Sequence, residues 1–320
     1  MITYIVRRVA LTVLVIVAAI SVNFLLIHTA PGDPTYMLLG QHAQEEDRAR
    51  VREELGLNRP LLVQYADYVT DMIRGDLGTS YRFRQPVANI ILQRIPATLL
   101  LSGPAFLLSM ILGILLGVFT ATRPNSLLDR SINVLGVVGF SVPVFWIGIL
   151  LVLLFGLRWS LFPVQGMTNV RESYTGIRHV VDVLHHLALP LAALVIQGTG
   201  SYIRLMRSSM LEVLGSEYVR VAHAKGVRHW RVVLRHAAPN ASLAVITLAS
   251  ARMGYLFTMS LMVEIVFAWP GTGRLLYDAI LARDYPLLLG CFFTVAVLVS
   301  AANLLADLAY AIADPRIRLD

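Results

Sequence analysis

Glu217-Tyr218-Val219-Arg220-Val221-Ala222-His223-Ala224-Lys225-Gly226 is a short run of good helix formers closed by a glycine. Gly226 suits the position just past a helix end, where the backbone needs positive φ. The run lies inside a basic stretch, 204–236, that carries seven of the 27 Lys and Arg residues. Beyond the glycine, Trp230, Val233 and Leu234 are spaced for a second amphipathic turn. Helix, glycine turn and second helix form the rigid projection a membrane subunit needs if a soluble motor is to push on it. A basic juxtamembrane loop held to anionic lipid has the same composition.

On both sides of this stretch the chain is apolar. Of its 320 residues 57% are hydrophobic and 15% charged, against about 45–50% and about 25% in a soluble domain. The mean hydropathy is +0.67. These values exclude an ordinary cytosolic enzyme, a disordered chain and a disulfide-built secreted module. A bilayer core of about 30 Å needs about 20 mostly apolar residues per helix. Six stretches qualify: 9–30, 97–122, 132–156, 184–203, 241–267 and 287–312. The fold class expected is therefore an all-α integral membrane protein with six transmembrane helices. The first stretch follows Arg7-Arg8, but its apolar run 9–27 exceeds the about 7–15 residues of a signal peptide. With no clear A-x-A site after it, it reads as an uncleaved helix. Val142-Pro143 predicts a kink in the third stretch.

The basic residues orient these spans. Residues 1–8 and 123–131 carry two each, 204–236 seven and the tail beyond Ala313 two, which makes thirteen. The short loops on the other side carry five: Arg158, Arg171, Arg178, Arg274 and Arg283. The 66-residue connection 31–96 carries eight, but a loop that long is translocated largely regardless of charge. Both termini and 204–236 are thus expected in the cytoplasm. The chain divides into an N-terminal helix (1–30), a structured external loop (31–96) and a five-helix core (97–320). In the loop, Pro31-Gly32-Asp33-Pro34 is turn chemistry, 45–55 is a charged helix stopped by Gly56, and Leu61–Arg74 is amphipathic through Leu61, Leu62, Tyr65, Val69, Met72 and Ile73, ended by Gly75 and Gly78. It serves either as a cap over the outer mouth or as a helix resting on lipid headgroups.

Some chemistries are missing from the sequence. Lys225 is the only lysine and is followed by Gly226, so no Gly-Lys-Ser/Thr phosphate loop exists, and any ATP and Mg must be bound by separate subunits. The glycines of 269–274 read instead as a tight external turn. Cys291 is the single cysteine and lies in an apolar stretch, which leaves no intrachain disulfide or cysteine metal cluster. Ser141 has no embedded His-Asp pair to activate it. His185 and His186 are adjacent on a helix and point in different directions, which disfavours a shared metal. No enzyme activity, cofactor or metal is expected, and nucleic acid is not a partner.

The stretch 204–236 resembles the cytoplasmic coupling loop of ABC importer permeases, whose signature is Glu-Ala-Ala, three residues, Gly, nine residues, then Ile-x-Leu-Pro. Ala222, Gly226 and Pro239 match it; Arg220, His236 and Ala238 depart from it. The peptide-and-nickel subgroup, which typically reads Glu-Tyr-Val-Arg-x-Ala-x-Ala-Lys-Gly, is followed closely by 217–226. Further blocks of the dipeptide/oligopeptide/nickel family follow in order: 31–34, Leu55-Gly56-Leu57 with Pro60-Leu61, 75–80, 94–99, 267–274, 283–286 and 314–318. The resemblance implies a type I importer permease in the bacterial inner membrane. It further implies a second homologous permease as heterodimeric partner, two ATP-binding cassette ATPases and a periplasmic or lipoprotein substrate-binding protein. Glu217, Tyr218, Arg220, Ala222, His223, Lys225 and Gly226 would then form the helix that docks on an ATPase. Peptides are the cargo expected from family breadth, with nickel, a metal chelate or glutathione as the alternative. A secondary transporter would need mid-membrane carboxylates, and only Glu264 comes near.

Polar residues inside the spans remain. Arg252 sits in the fifth, where a charge costs at least about 2.5–3.5 kcal/mol. It is expected either to line a translocation path with Gln197, Asn133 and Glu264 or to bond a polar group on a neighbouring helix or the second permease. Gly113 and Gly117 form a small-xxx-small pair that would let two helices approach closely.

Overall fold

The computed structural model describes residues 2–29, 44–54, 58–169, 171–172 and 174–313. The expected turn at Pro31-Gly32-Asp33-Pro34, the Leu55-Gly56-Leu57 block and the tail block 314–318 lie outside the described residues. The regular elements among the described residues are all helices, with Thr79 and Pro86 forming an isolated extended bridge. Among them five helices are long and apolar enough to cross a membrane, or six if one bent pair counts as a single span.

In chain order the helices are α1 (Ile2–Thr29), α2 (Glu45–Glu54), α3 (Leu61–Arg74), α4 (Val87–Ala121), α5 (Leu127–Ser141), α6 (Val144–Leu151), α7 (Ile177–Leu214), α8 (Glu217–Ala224), α9 (His229–Val232), α10 (Ala238–Arg252), α11 (Leu256–Met259), α12 (Leu261–Val266), α13 (Thr272–Ala282) and α14 (Tyr285–Ala313). Wider π turns extend α6 over Val152–Arg158 and join α9 to α10 over Val233–Ala237. Three expectations change. First, α7 does not stop at Ile203. It continues to Leu214, so the first eleven residues of the expected loop 204–236 are helix. Their two cations do not end the helix because each finds a partner: Arg207 pairs with Asp129, and Arg204 lies 5.7 Å over the Phe140 ring. Second, the expected kink at Val142-Pro143 is a break, with α5 and α6 bent by 105°. Val142 (ψ 132) and Pro143 (ψ 135) both leave helical geometry, as the residue before proline tends to do. Third, the fifth span is interrupted by a tight turn at Met253–Tyr255 directly after Arg252.

The chain forms two compact units. One comprises Met1–Pro96 and Leu275–Leu304, the other Ala97–Arg274 and Leu305–Arg318. In the first, Ile20, Met72, Leu77, Val87, Ile91 and Leu287 share a buried core. The expected stripe of α3 divides. Tyr65, Val69 and Met72 face inward, with the Tyr65 ring 5.2 Å from Phe24 and its hydroxyl 2.7 Å from Ser21 Oγ on α1. Leu61, Leu62 and Ile73 remain exposed. Gly75 (φ +80) and Gly78 (φ +76) end this region as left-handed turns. Asp284 joins two stretches far apart in sequence. It is buried, accepts from Ser80 Oγ (2.5 Å) and Arg82 N (3.1 Å), and caps the start of α14 through Leu287 N (3.3 Å).

The second unit is built around α7. One cluster gathers Leu101, Ala193, Leu194, Val263, Phe267 and Trp269; another gathers Val118, Tyr202, Met206, Met210, Val233 and Val245. Helix α5 lies so close to α7 that a Cβ on Gly200 would meet the carbonyl oxygen of Gly136. The small pair Gly113 and Gly117 gives the expected close approach, on Tyr202 and Met206 of α7. Asp129, almost fully buried, locks α5 to α7: Arg207 donates to both its oxygens at 2.7 Å, Asn125 N at 2.9 Å and Asn133 Nδ2 at 2.7 Å. Removing one member of such a pair strands a buried charge and costs about 3–5 kcal/mol. Arg207→Ala should therefore lower the thermal midpoint of the detergent-purified protein markedly, whereas Arg204→Ala should shift it little, as followed by fluorescence-detected unfolding.

Candidate coupling helix and membrane cavity

Helix α8 begins where Gly215 and Ser216 end the run of α7. Ser216 is extended (ψ 156), and Glu217 places a negative charge in the first turn, where the helix dipole favours it. The far end is a complete glycine-closed turn. Gly226, at φ +74, donates to His223 O (2.9 Å), and Val227 N donates to Ala222 O (3.3 Å), the paired bonds of a Schellman cap. A Cβ at Gly226 would meet nothing within 4 Å. The glycine is therefore required for its backbone angle and not for space.

Of the seven residues expected to couple, Glu217, Tyr218, Arg220, His223, Lys225 and Gly226 are exposed and Ala222 is half-buried. Beneath them Val219 is buried and seats the helix. Asn240 Nδ2 donates to the Tyr218 hydroxyl (3.0 Å) and ties α8 to α10. The imidazoles of His223 and His229 stack at 5.8 Å with 17° between planes. Of the amphipathic turn expected beyond the glycine, Val233 is buried, together with Val232, while Trp230 and Leu234 are 53% and 61% exposed. From Val233 onward the π turn at Val233–Ala237 departs from the regular i, i+4 register.

The polar residues of the spans separate into three places. Arg252 and Gln197 line one cavity of about 60 Å³ together with Ser102, Ser109, Tyr202 and Ser260. Arg252 Nη1 donates to Ser201 Oγ (2.6 Å), and its guanidinium lies 5.6 Å from the Tyr202 ring centre. Asn133 is not among the lining residues; its amide is held by Asp129. Glu264 is absent from that wall too and is fully buried elsewhere. Its carboxylate accepts from Thr98 Oγ1 (2.8 Å), Ser260 Oγ (3.0 Å), Gly273 N (2.8 Å) and Arg274 N (3.0 Å).

That carboxylate also explains the glycines of 269–274, which are not a simple outer turn. Trp269 is buried and donates Nε1–H to Ala97 O (2.8 Å), and a Cβ on Gly271 would collide with the carboxylate of Glu264. Gly273 is equally confined, with a Cβ there 2.7 Å from Leu261 Cα. His185 and His186 take separate partners, Leu161 O (2.9 Å) and Asp182 (3.2 Å to Oδ1).

Ser102, Ser109 and Tyr202 were not singled out from sequence, although a signal was there. Thr98, Ser102, Ala105 and Ser109 recur at steps of four, three and four, which marks a small, hydroxyl-rich face on an otherwise apolar helix. That face supplies Ser102, Ala105 and Ser109 to the cavity.

Comparison with known proteins bears on this arrangement. A family model described as "Binding-protein-dependent transport system inner membrane component" matches residues 113–319, and its N-terminal companion matches 1–102. This chain belongs to that family. Its relatives include the oligopeptide transport system permease protein AppB of Bacillus subtilis (strain 168), 36% identical over 99% of both chains. The dipeptide transport system permease protein DppB of Escherichia coli (strain K12) is 36% identical, and the probable peptide ABC transporter permease protein y4tP of Sinorhizobium fredii 38%, with at least 98% of each chain covered. The permease thus carries the family's inner-membrane assignment along nearly its whole length.

Glu264 and Gly271 should prove energetically coupled. Glu264→Ala leaves two backbone N–H groups and two hydroxyls without their acceptor, at about 1–3 kcal/mol for each group left unsatisfied. Gly271→Ala should destabilise the wild-type permease strongly and the Glu264→Ala variant much less. A double-mutant cycle on thermal midpoints measures this, with additive shifts as the contrary result.

Proposed function

We propose that this permease is one half of the membrane path of an ATP-driven importer of di- and oligopeptides. The names of relatives matched over 98–99% of this chain support the cargo. In this reading the bent pair α5–α6 counts as the third of six spans, both termini lie in the cytoplasm and residues 31–96 face outward. The distribution of thirteen basic residues against five favours that orientation. A second, related permease completes the path, two ATPases sit beneath the pair, and an external binding protein delivers the peptide.

The observation that carries the mechanism is α8: an exposed helix seated on buried Val219, closed by a left-handed glycine, and joined at Gly215 to the 38-residue helix α7. A helix of that length is a rod of roughly 57 Å at about 1.5 Å per residue. An ATPase that grips α8 and closes on ATP moves the end of this rod. The same rod carries Leu194, Gln197, Gly198 and Tyr202 on the cavity wall. Motion at the motor and access to the path are thereby linked through one element, and alternation of access follows from the two positions of the ATPases. Since the sequence holds no phosphate loop, hydrolysis belongs to the partner subunits.

Substitutions at Gly226 test this reading. Gly226→Val, forced toward negative φ, should abolish peptide uptake and reduce ATPase co-purification while insertion persists. Gly226→Asn, which tolerates the left-handed region at a cost well under about 2 kcal/mol, should keep most of both. Equal uptake by both variants and wild type would count against α8 as the motor's handle.

A further inference from the structure

The cavity beside Arg252 holds an imbalance of charge that the fold itself does not resolve. Arg252 lies at the end of α10, within a helical stretch apolar enough to span the bilayer. Among the described residues no carboxylate forms an ion pair with it; its guanidinium donates to Ser201 Oγ and meets the Tyr202 hydroxyl, both neutral partners. A guanidinium has several N–H donors in a planar fork suited to a carboxylate. Leaving such a group in a low-dielectric setting is costly unless an anion or water meets it.

What faces it leaves the donor role to the Gln197 amide, since the hydroxyl protons of Ser102, Ser109 and Ser260 are already given to Thr98 O, Ala105 O and Glu264 Oε1. The wall combines Ser102, Ser109, Ser260 and Gln197 with apolar Ala105, Phe106, Leu194, Leu256 and Met259. Ser102 and Ser109 donate their own hydroxyl protons to carbonyls one turn back, Thr98 O (2.8 Å) and Ala105 O (2.7 Å). The side-chain amide of Gln197 has no partner among the described residues and can donate into the cavity. No acidic side chain lines it. The cavity of about 60 Å³ holds a carboxylate or a few waters, not a whole peptide.

We propose that Arg252, supported by Gln197, is a carboxylate-reading site in the translocation path that engages the C-terminal carboxylate of the passing peptide. This rests on the peptide-importer reading above. Every linear peptide carries that group whatever its side chains, so one fixed cation recognises cargo of any sequence. The break after Arg252, where α10 gives way to the turn Met253–Tyr255, puts the guanidinium at a helix end beside the cavity and not along an unbroken lipid-facing cylinder. Ser201 and the Tyr202 ring fix its direction from α7, the rod that also bears Gln197.

The test uses the whole transporter, both permeases, ATPases and binding protein, reconstituted in proteoliposomes with a labelled tripeptide. Peptide uptake by the wild-type assembly tests the importer reading separately; without it that reading fails before Arg252 is addressed. Arg252→Met should lower uptake at saturating binding protein by at least about tenfold, the scale of one lost charge-assisted hydrogen bond. Binding-protein-stimulated ATPase activity should persist, and Arg252→Lys should recover part of the uptake. Gln197→Glu supplies an independent arm. It places a competing carboxylate on the same wall, so it should block uptake while assembly and thermal stability hold or improve. Wild-type uptake by either Arg252→Met or Gln197→Glu would overturn the proposal. So would loss of the second permease from the Arg252→Met complex with unimpaired uptake by Gln197→Glu, which would make Arg252 an assembly contact.

Discussion

The buried carboxylate of Glu264 is the constraint around which much of the second compact unit is arranged. A charge withdrawn from water must be met by donors in fixed positions, and here they come from α4 (Thr98), from the residue ahead of α12 (Ser260) and from the first turn of α13 (Gly273 N and Arg274 N). Glu264 thus acts on the N-terminal end of α13, where unpaired N–H groups and the helix dipole both favour an anion. Space for it exists only because residue 271 has no side chain. Trp269, bonded to Ala97 O and packed with Phe267, fills the remaining volume. A run of sequence that resembles a loose glycine turn is therefore a tightly fitted buried element.

The same principle operates twice more, at Asp129 and at Asp284. Asp129 holds α5 to α7 through Arg207, and Asp284 holds Ser80 and Arg82 at the start of α14. Helices in hydrocarbon gain little from burying apolar side chains against each other, since lipid is equally apolar. Close backbone approach and satisfied polar groups do that work instead. The glycines at 136 and 200 and these three carboxylates are the two sides of one solution. Against that background Arg252 stands apart, a charge placed at a cavity whose described wall carries no acidic side chain.

Much of this was legible in the chain. The apolar stretches locate every long helix, the ends of α3 match its periodicity, and Gly226 takes the left-handed angle its position demanded. What escaped was set by tertiary partners. Arg204 and Arg207 suggested the end of a span, yet a ring and a carboxylate from α5 let α7 run on to Leu214. Trp230, Val233 and Leu234 matched a helical stripe, but only Val233 is buried, beside Val232, while Trp230 and Leu234 stay exposed. Of the four polar residues considered for a path, Gln197 and Arg252 share a cavity while Asn133 and Glu264 are spent on structure. Spacing along one helix cannot distinguish these roles, because the deciding atoms belong to another.

If α8 is the surface on which a motor acts, a thiol placed on it must lie within reach of the ATPase. Cys291, the lone cysteine, is buried, so introduced thiols can be read individually. Single cysteines at His223, at buried Val219 and at Ile177 on the opposite end of α7 should be tested for cross-linking to the ATPase subunit in the assembled transporter. Efficient, ATP-sensitive cross-linking is expected from His223 and none from Val219 or Ile177. Cross-linking from Ile177 that equals or exceeds that from His223 would contradict that role of α8.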